Sequence, residues 1–171
     1  MKILNSIFVT ILCIFLFSGC QNSEVPIEKE EVDNKKLEIK DTYIFSFSYS
    51  VGYHINASYD YEIRLNENGS YEAFYKADGV APEDRLSKII DKEIVSEFEN
   101  ILTKYKIYKW NGFHESDLDV LDGDSFYLHY MRKDKESISA SGYMKYPKGY
   151  RDFRSEIHNF FTDLFKEEVE K

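Results

Sequence analysis

The stretch YIFSFSYSV, Tyr43 to Val51, sets aromatic or apolar side chains (Tyr43, Phe45, Phe47, Tyr49, Val51) against serines (Ser46, Ser48, Ser50). A period of two puts every second side chain on one face of a strand, so the stretch reads as a strand with one buried and one solvated face. Tyr59, Tyr61, Ile63 and Leu65 repeat the pattern against Asp60, Glu62 and Arg64. Asn66 to Gly69 (NENG) then supplies Asn-Gly turn chemistry, which tolerates positive φ, and SYEAFYK from Ser70 to Lys76 returns as a third strand. Three strands in succession make a meander.

Further along, Asp78 to Leu86 contains Gly79 and Pro82 and reads as a loop. Ile90, Ile94, Phe98, Ile101, Leu102 and Tyr105 recur at helical spacing, which predicts an amphipathic helix over about Asp91 to Lys106. Ser125 to Arg132 and Glu136 to Tyr143 read as fourth and fifth strands joined at Lys133-Asp134-Lys135. Phe153, Ile157, Phe160, Phe161, Leu164 and Phe165 share one face of a second amphipathic helix. The order βββαββα predicts an α+β fold of two layers: a largely antiparallel five-stranded sheet with both helices on one face. If the first helix makes one pass over the sheet, the fully antiparallel strand order is 4-5-1-2-3.

The chain has 171 residues and a net charge of -9, with no large basic field for nucleic acid. Gln21 to Asp41 is dense in Glu, Lys and Asp, holds a proline and no aromatic residue, and reads as a solvated tether. As a flexible coil it spans about 25 Å root-mean-square. The predicted organisation is therefore a signal at 1–19, a modified cysteine and tether at 20–41, and a single domain at 42–171.

The signal rests on Lys2, the uncharged run IFVTILCIFLF from Ile7 to Phe17, and the small pair Ser18-Gly19 before Cys20. A run this short falls well below the roughly twenty residues that cross a bilayer as a helix. Phe17-Ser18-Gly19-Cys20 resembles the lipobox of bacterial lipoproteins, with Phe17 where an aliphatic residue is usual. The resemblance implies cleavage before Cys20, a diacylglyceryl group on its sulfur, and an extracytoplasmic domain held to the cell membrane by lipid. Cys13, the other cysteine, would leave with the signal, so a mature domain would carry no thiol chemistry or disulfide. The stretch from Trp110 through LDGDSF to SISASGYMKYP also resembles segments of small uncharacterised lipoproteins of low-GC Gram-positive bacteria, a likeness that implies no activity.

The predicted topology gathers the most unusual residues at one end of the sheet. The loop Ile107 to Asp124 and the segment Tyr143 to Arg151 would display Trp110, Phe113, Asp117, Asp119, Asp122, Asp124, Lys145, Tyr146, Lys148, Tyr150 and Arg151 there. The first strand would start at the same end, turning it toward the tether. Aromatic faces beside fixed charges suit an envelope polymer such as a glycan, and loops at the end of a rigid sheet are common binding places. A single tryptophan in a small domain, Trp110 here, is more often a partly buried core or lid residue, and the acids and bases can equally neutralise one another as loop salt bridges. DLDVLDGD, Asp117 to Asp124, does not fit an EF-hand calcium loop, since the glycine falls at the seventh position and the twelfth is Leu128; an irregular calcium site stays open, and Asp122-Gly123 reads more simply as a turn. His54, His114, His129 and His158 lack metal spacing, and no nucleophile elbow or phosphate loop is present. No cofactor is expected. These readings favour a non-enzymatic envelope binder of a polymer or an extracytoplasmic protein. An inhibitor or immunity-type lipoprotein that masks a secreted enzyme or toxin is the alternative, and a hydrolase acting on envelope polymer comes third.

Overall fold

The structure is a computed structural model that describes residues 38–52 and 58–169. The expected signal, Cys20 and most of the tether lie outside the described residues, as does His54. The folded unit is an α+β domain. Its strands are β1 (Thr42–Ser50), β2 (Ser58–Leu65), β3 (Tyr71–Lys76), β4 (Leu86–Ile90), β5 (Phe113–Ser116), β6 (Ser125–Arg132) and β7 (Ser137–Tyr143). Its helices are α1 (Lys92–Lys104), α2 (Tyr150–Leu164) and the short α3 (Lys166–Val169), with 3-10 turns at Pro82–Asp84 and Ile107–Trp110.

All seven strands form one sheet in the order β4-β3-β2-β1-β6-β7-β5. The alternation in β1 sets its register: Phe45, Phe47 and Tyr49 lie opposite Ile63, Tyr61 and Tyr59 of β2, and opposite Tyr130, Leu128 and Phe126 of β6. These inward rows meet both long helices. The Phe45 ring lies 4.7 Å from Phe98 of α1, and Phe47 and Tyr61 lie 5.2 and 5.0 Å from Phe153 and Phe161 of α2. Each fully buried side chain of this kind contributes about 1.5–3 kcal/mol. The opposite rows, Ser46, Ser48 and Ser50 with Asp60 and Glu62, face away from the helices.

Asp91 caps α1 by accepting a hydrogen bond from the Ile94 amide at 3.0 Å. The helix ends where Lys106 turns left-handed at φ 54° and starts the 3-10 turn that leads to β5. Helix α2 begins after Gly149, whose φ of 85° suits a residue without Cβ.

The sheet departs from expectation in having seven strands rather than five. β4 falls between the predicted loop and the predicted helix, and β5, four residues long, runs parallel to β7 at the edge. The two additions explain the strand order. β4 makes the return pass assigned to the first helix, and α1 instead crosses the sheet. It starts beside the β3–β4 edge, passes the start of β1, where Glu99 accepts from the Thr42 amide and hydroxyl at 2.9 and 2.7 Å, and delivers the chain to β7 through the bond from Gly112 N to Ser139 O. β5 then adds one more pass, so β6 and not β7 runs antiparallel to β1. In the terms of the five expected strands the order is 5-4-1-2-3, not 4-5-1-2-3. It follows that β1 ends, rather than starts, beside the 117–124 loop: Ser50 pairs with Ser125, while Thr42 pairs with Arg132 at the far end.

Candidate functional site

The 117–124 loop and the segment after β7 do come together. Asp117 N donates to Tyr143 O and Met144 N to Asp124 O, each at 2.9 Å. The Tyr143 hydroxyl accepts from Gly123 N at 2.8 Å and donates to Val120 O at 2.9 Å, bracing the loop from within. Lys145 pairs with Asp117 at 3.4 Å, and the Tyr146 hydroxyl donates to Asp124 O at 3.2 Å. Close packing requires two glycines. A Cβ on Gly142 would collide with the Lys145 carbonyl oxygen and the Phe126 ring, and one on Gly123 with Met144 and Tyr143.

The expected site residues divide into two groups. Asp122, Lys145 and Lys148 are exposed, and Tyr146 is half-buried beside them. Trp110 is only 3% exposed and packs edge-on against Phe153 at 5.0 Å. It is a core residue, because the 3-10 turn at Ile107–Trp110 tucks it beneath α2. Tyr150 is buried as well, stacked on Tyr146 at 4.7 Å and against Phe126 at 4.6 Å. Phe113 is half-buried on Phe126 at 6.2 Å. Burial raises the Tyr150 and Tyr146 hydroxyls above their ordinary pKa, with Arg154 opposing the shift at both and Asp124 adding to it at Tyr146. Two leucines take the place of the lost aromatic face. Leu118 and Leu121 are 87% and 91% exposed at the tip of the braced loop, between Asp117, Asp119 and Asp122.

A second feature lies on the helix-free face of the sheet. A recess of 560 Å³ is lined by Ser46, Ser48, Ser58, Asp60, Glu62, Lys76 and Arg85, together with Val80 and Pro82 of the β3–β4 connection. Lys76 is 6% exposed, unusual for a lysine without partners. Its ammonium has three acceptors for its three protons: Ser58 O at 2.6 Å, Ser58 Oγ at 2.9 Å and Asp60 Oδ2 at 3.2 Å. Arg85 pairs with Glu62 at 3.1 Å. The Arg85 and Arg64 guanidiniums cover the Phe74 ring at 4.1 and 4.2 Å, which is how a phenylalanine stays buried on the polar face. A smaller hollow of 180 Å³ shares Ser48, Ser58 and Asp60 with the recess and extends it to Ser50, Ser125 and Tyr127. Asp60, Lys76 and Arg85 belong to no motif that marks them as site residues. The signal was there, since a hairpin closed at NENG pairs Lys76 with Asp60.

Among the described residues no group of three or more His, Cys, Asp or Glu is placed to hold a metal ion, and no helix is long and apolar enough to cross a membrane. His158 lies under the sheet rather than in either feature. Its Nδ1 shares a 2.8 Å hydrogen bond with the Tyr61 hydroxyl, and burial, then Arg154, lowers its pKa. His114 bonds Ser141 Oγ at 2.8 Å on the open face. The chain matches no protein-family model and no curated protein.

Proposed function

We propose that this is a lipid-anchored, extracytoplasmic envelope protein whose domain is a non-enzymatic binding module, docking on a partner protein through the 117–124 loop. The address follows from the lipobox-like Phe17-Ser18-Gly19-Cys20. The observation that carries the docking is the exposure of Leu118 and Leu121 on a loop held rigid by the Tyr143 hydroxyl. Exposed apolar side chains on a pre-ordered loop bind without first losing much conformational freedom. Asp119 and Asp122 beside them select a partner with an apolar cleft and a basic rim. An inhibitor or immunity-type lipoprotein that fills the cleft of a secreted enzyme or toxin is one form of this arrangement.

Hydrolysis fits the recess less well. Asp60 and Glu62 lie side by side on one strand, each committed to a cation, whereas a glycosidase places two carboxyl groups on opposite sides of the scissile bond.

The test compares wild type, Cys20→Ala and the double variant Leu118→Asp, Leu121→Asp in the native envelope, with a metabolic lipid label and a cleavable cross-linker. Lipid label should vanish only in Cys20→Ala. A specific cross-linked protein with a basic surface should be lost only in the loop variant. A cross-linking pattern unchanged by the loop variant would rule out docking there, and label that persists without Cys20 would rule out the anchor.

A further inference from the structure

We infer that the recess on the helix-free face is a saccharide site, taking a short uncharged oligosaccharide laid across β3, β2, β1 and β6. This site is separate from the 117–124 loop, and its occupancy does not depend on the docking proposed there.

Charge sets the first restriction. The ionic groups lining the recess are Asp60, Glu62, Lys76 and Arg85, two of each sign and joined in pairs. An anion that reached Lys76 or Arg85 would meet Asp60 or Glu62, and a cation would meet the converse, so net charge on a ligand brings little gain. Hydrogen bonding sets the second. The Ser46 and Ser48 hydroxyls have no hydrogen-bond partner among the described residues, and both line the recess. A hydroxyl donates one hydrogen bond and accepts two, and a carboxylate oxygen engaged by one cation keeps acceptor capacity. The lining therefore offers mixed donors and acceptors at close spacing, the complement of vicinal sugar hydroxyls.

Topology removes the main competitor. β1 and β2 are interior strands whose backbones are paired on both sides, so an extended peptide cannot add to them as a further strand. Recognition falls to the side chains. Size and shape agree: 560 Å³ lies within the roughly 300–1,000 Å³ usual for small-molecule clefts, and the adjoining hollow lengthens it along the face. At its far end Tyr127, 48% exposed and opposite Ser48 in the β1–β6 register, offers a ring on which the C–H face of a pyranose can stack.

The test is calorimetric titration of the full-length chain in detergent micelles with cellotetraose, maltotetraose and N-acetylchitotetraose, using tetragalacturonate as the anionic control. We expect saturable binding of at least one neutral sugar, weakened about tenfold or more by Tyr127→Ala and by Ser48→Leu. Tyr127 is exposed and lies outside the hydrophobic core, so its variant decides the matter if Ser48→Leu disturbs the sheet. The Leu118→Asp, Leu121→Asp variant should bind sugar like wild type, which separates this site from the loop. Absence of binding by all three neutral sugars, preference for tetragalacturonate, or unchanged affinity in a folded Tyr127→Ala variant would each overturn the inference.

Discussion

Replacing Trp110 with alanine should damage the fold far more than any surface. The indole is 3% exposed, edge-on to Phe153 at 5.0 Å and within 6.4 Å of Tyr150. Burying an aromatic side chain removes about 150–250 Å² from water, and at about 25 cal/mol/Å² this amounts to roughly 4–6 kcal/mol. Alanine retains a little of that and leaves a cavity, and measured Phe and Trp truncations cluster at about 3–5 kcal/mol. For a domain of this size such a loss lowers Tm by on the order of 10 °C or more. Urea unfolding followed by far-ultraviolet circular dichroism measures it directly, since the variant lacks the only tryptophan. A loss below about 1 kcal/mol would mean that the indole is not part of the core, and the packing of the Ile107–Trp110 turn under α2 would be wrong.

Two further outcomes follow from the same packing. Gly142→Ala puts a methyl group against the Lys145 carbonyl oxygen and the Phe126 ring, and should cost about 1–3 kcal/mol by overpacking, measured by denaturant midpoint; a neutral effect would show that the chain after β7 is free to move. His158 lies below its ordinary value of 6.5 in the fold, because of burial and then Arg154, so the unfolded chain takes up the proton more readily. The stability linked to it is complete above about pH 6.5 and is lost as pH falls from there toward the folded value. Thermal melts across that window should drop less in His158→Gln than in wild type, and identical slopes would show that the Tyr61–His158 contact does not exclude the charged form.

Periodicity revealed what burial dictates. The aromatic and serine alternation of β1 and the phenylalanine stripe of α2 each bury one face, so pattern and structure coincide within a residue or two at most ends. The two edge strands escaped for opposite reasons. In β4 the sequence LSKII alternates over only five residues, and its Ile90 also suits the helical spacing that follows. In β5 the sequence FHES has no apolar period, and backbone pairing to β7 alone makes it a strand. Missing them inverted the direction of β6 and β7 and with it the end at which β1 begins. Trp110 illustrates a different limit: its scarcity in the chain carries no information about exposure, and the left-handed turn at Lys106 that folds it inward has no apolar pattern to mark it.

The central place of β1 constrains how this chain can mature. Its partner β2 arrives at once, but β6 lies farther along, with Ser50 hydrogen-bonded to Ser125 across 75 positions. Until β6 emerges, the four-stranded meander β1–β4 presents an unpaired edge and an uncovered row of Phe45, Phe47 and Tyr49. Such an edge is a template for unwanted pairing, and long-range partners of this kind slow the last step of folding. A chain delivered across a membrane N-terminus first would therefore pass through in an unfinished state, and α2, the last long element, would close the apolar side only after nearly all of it had crossed.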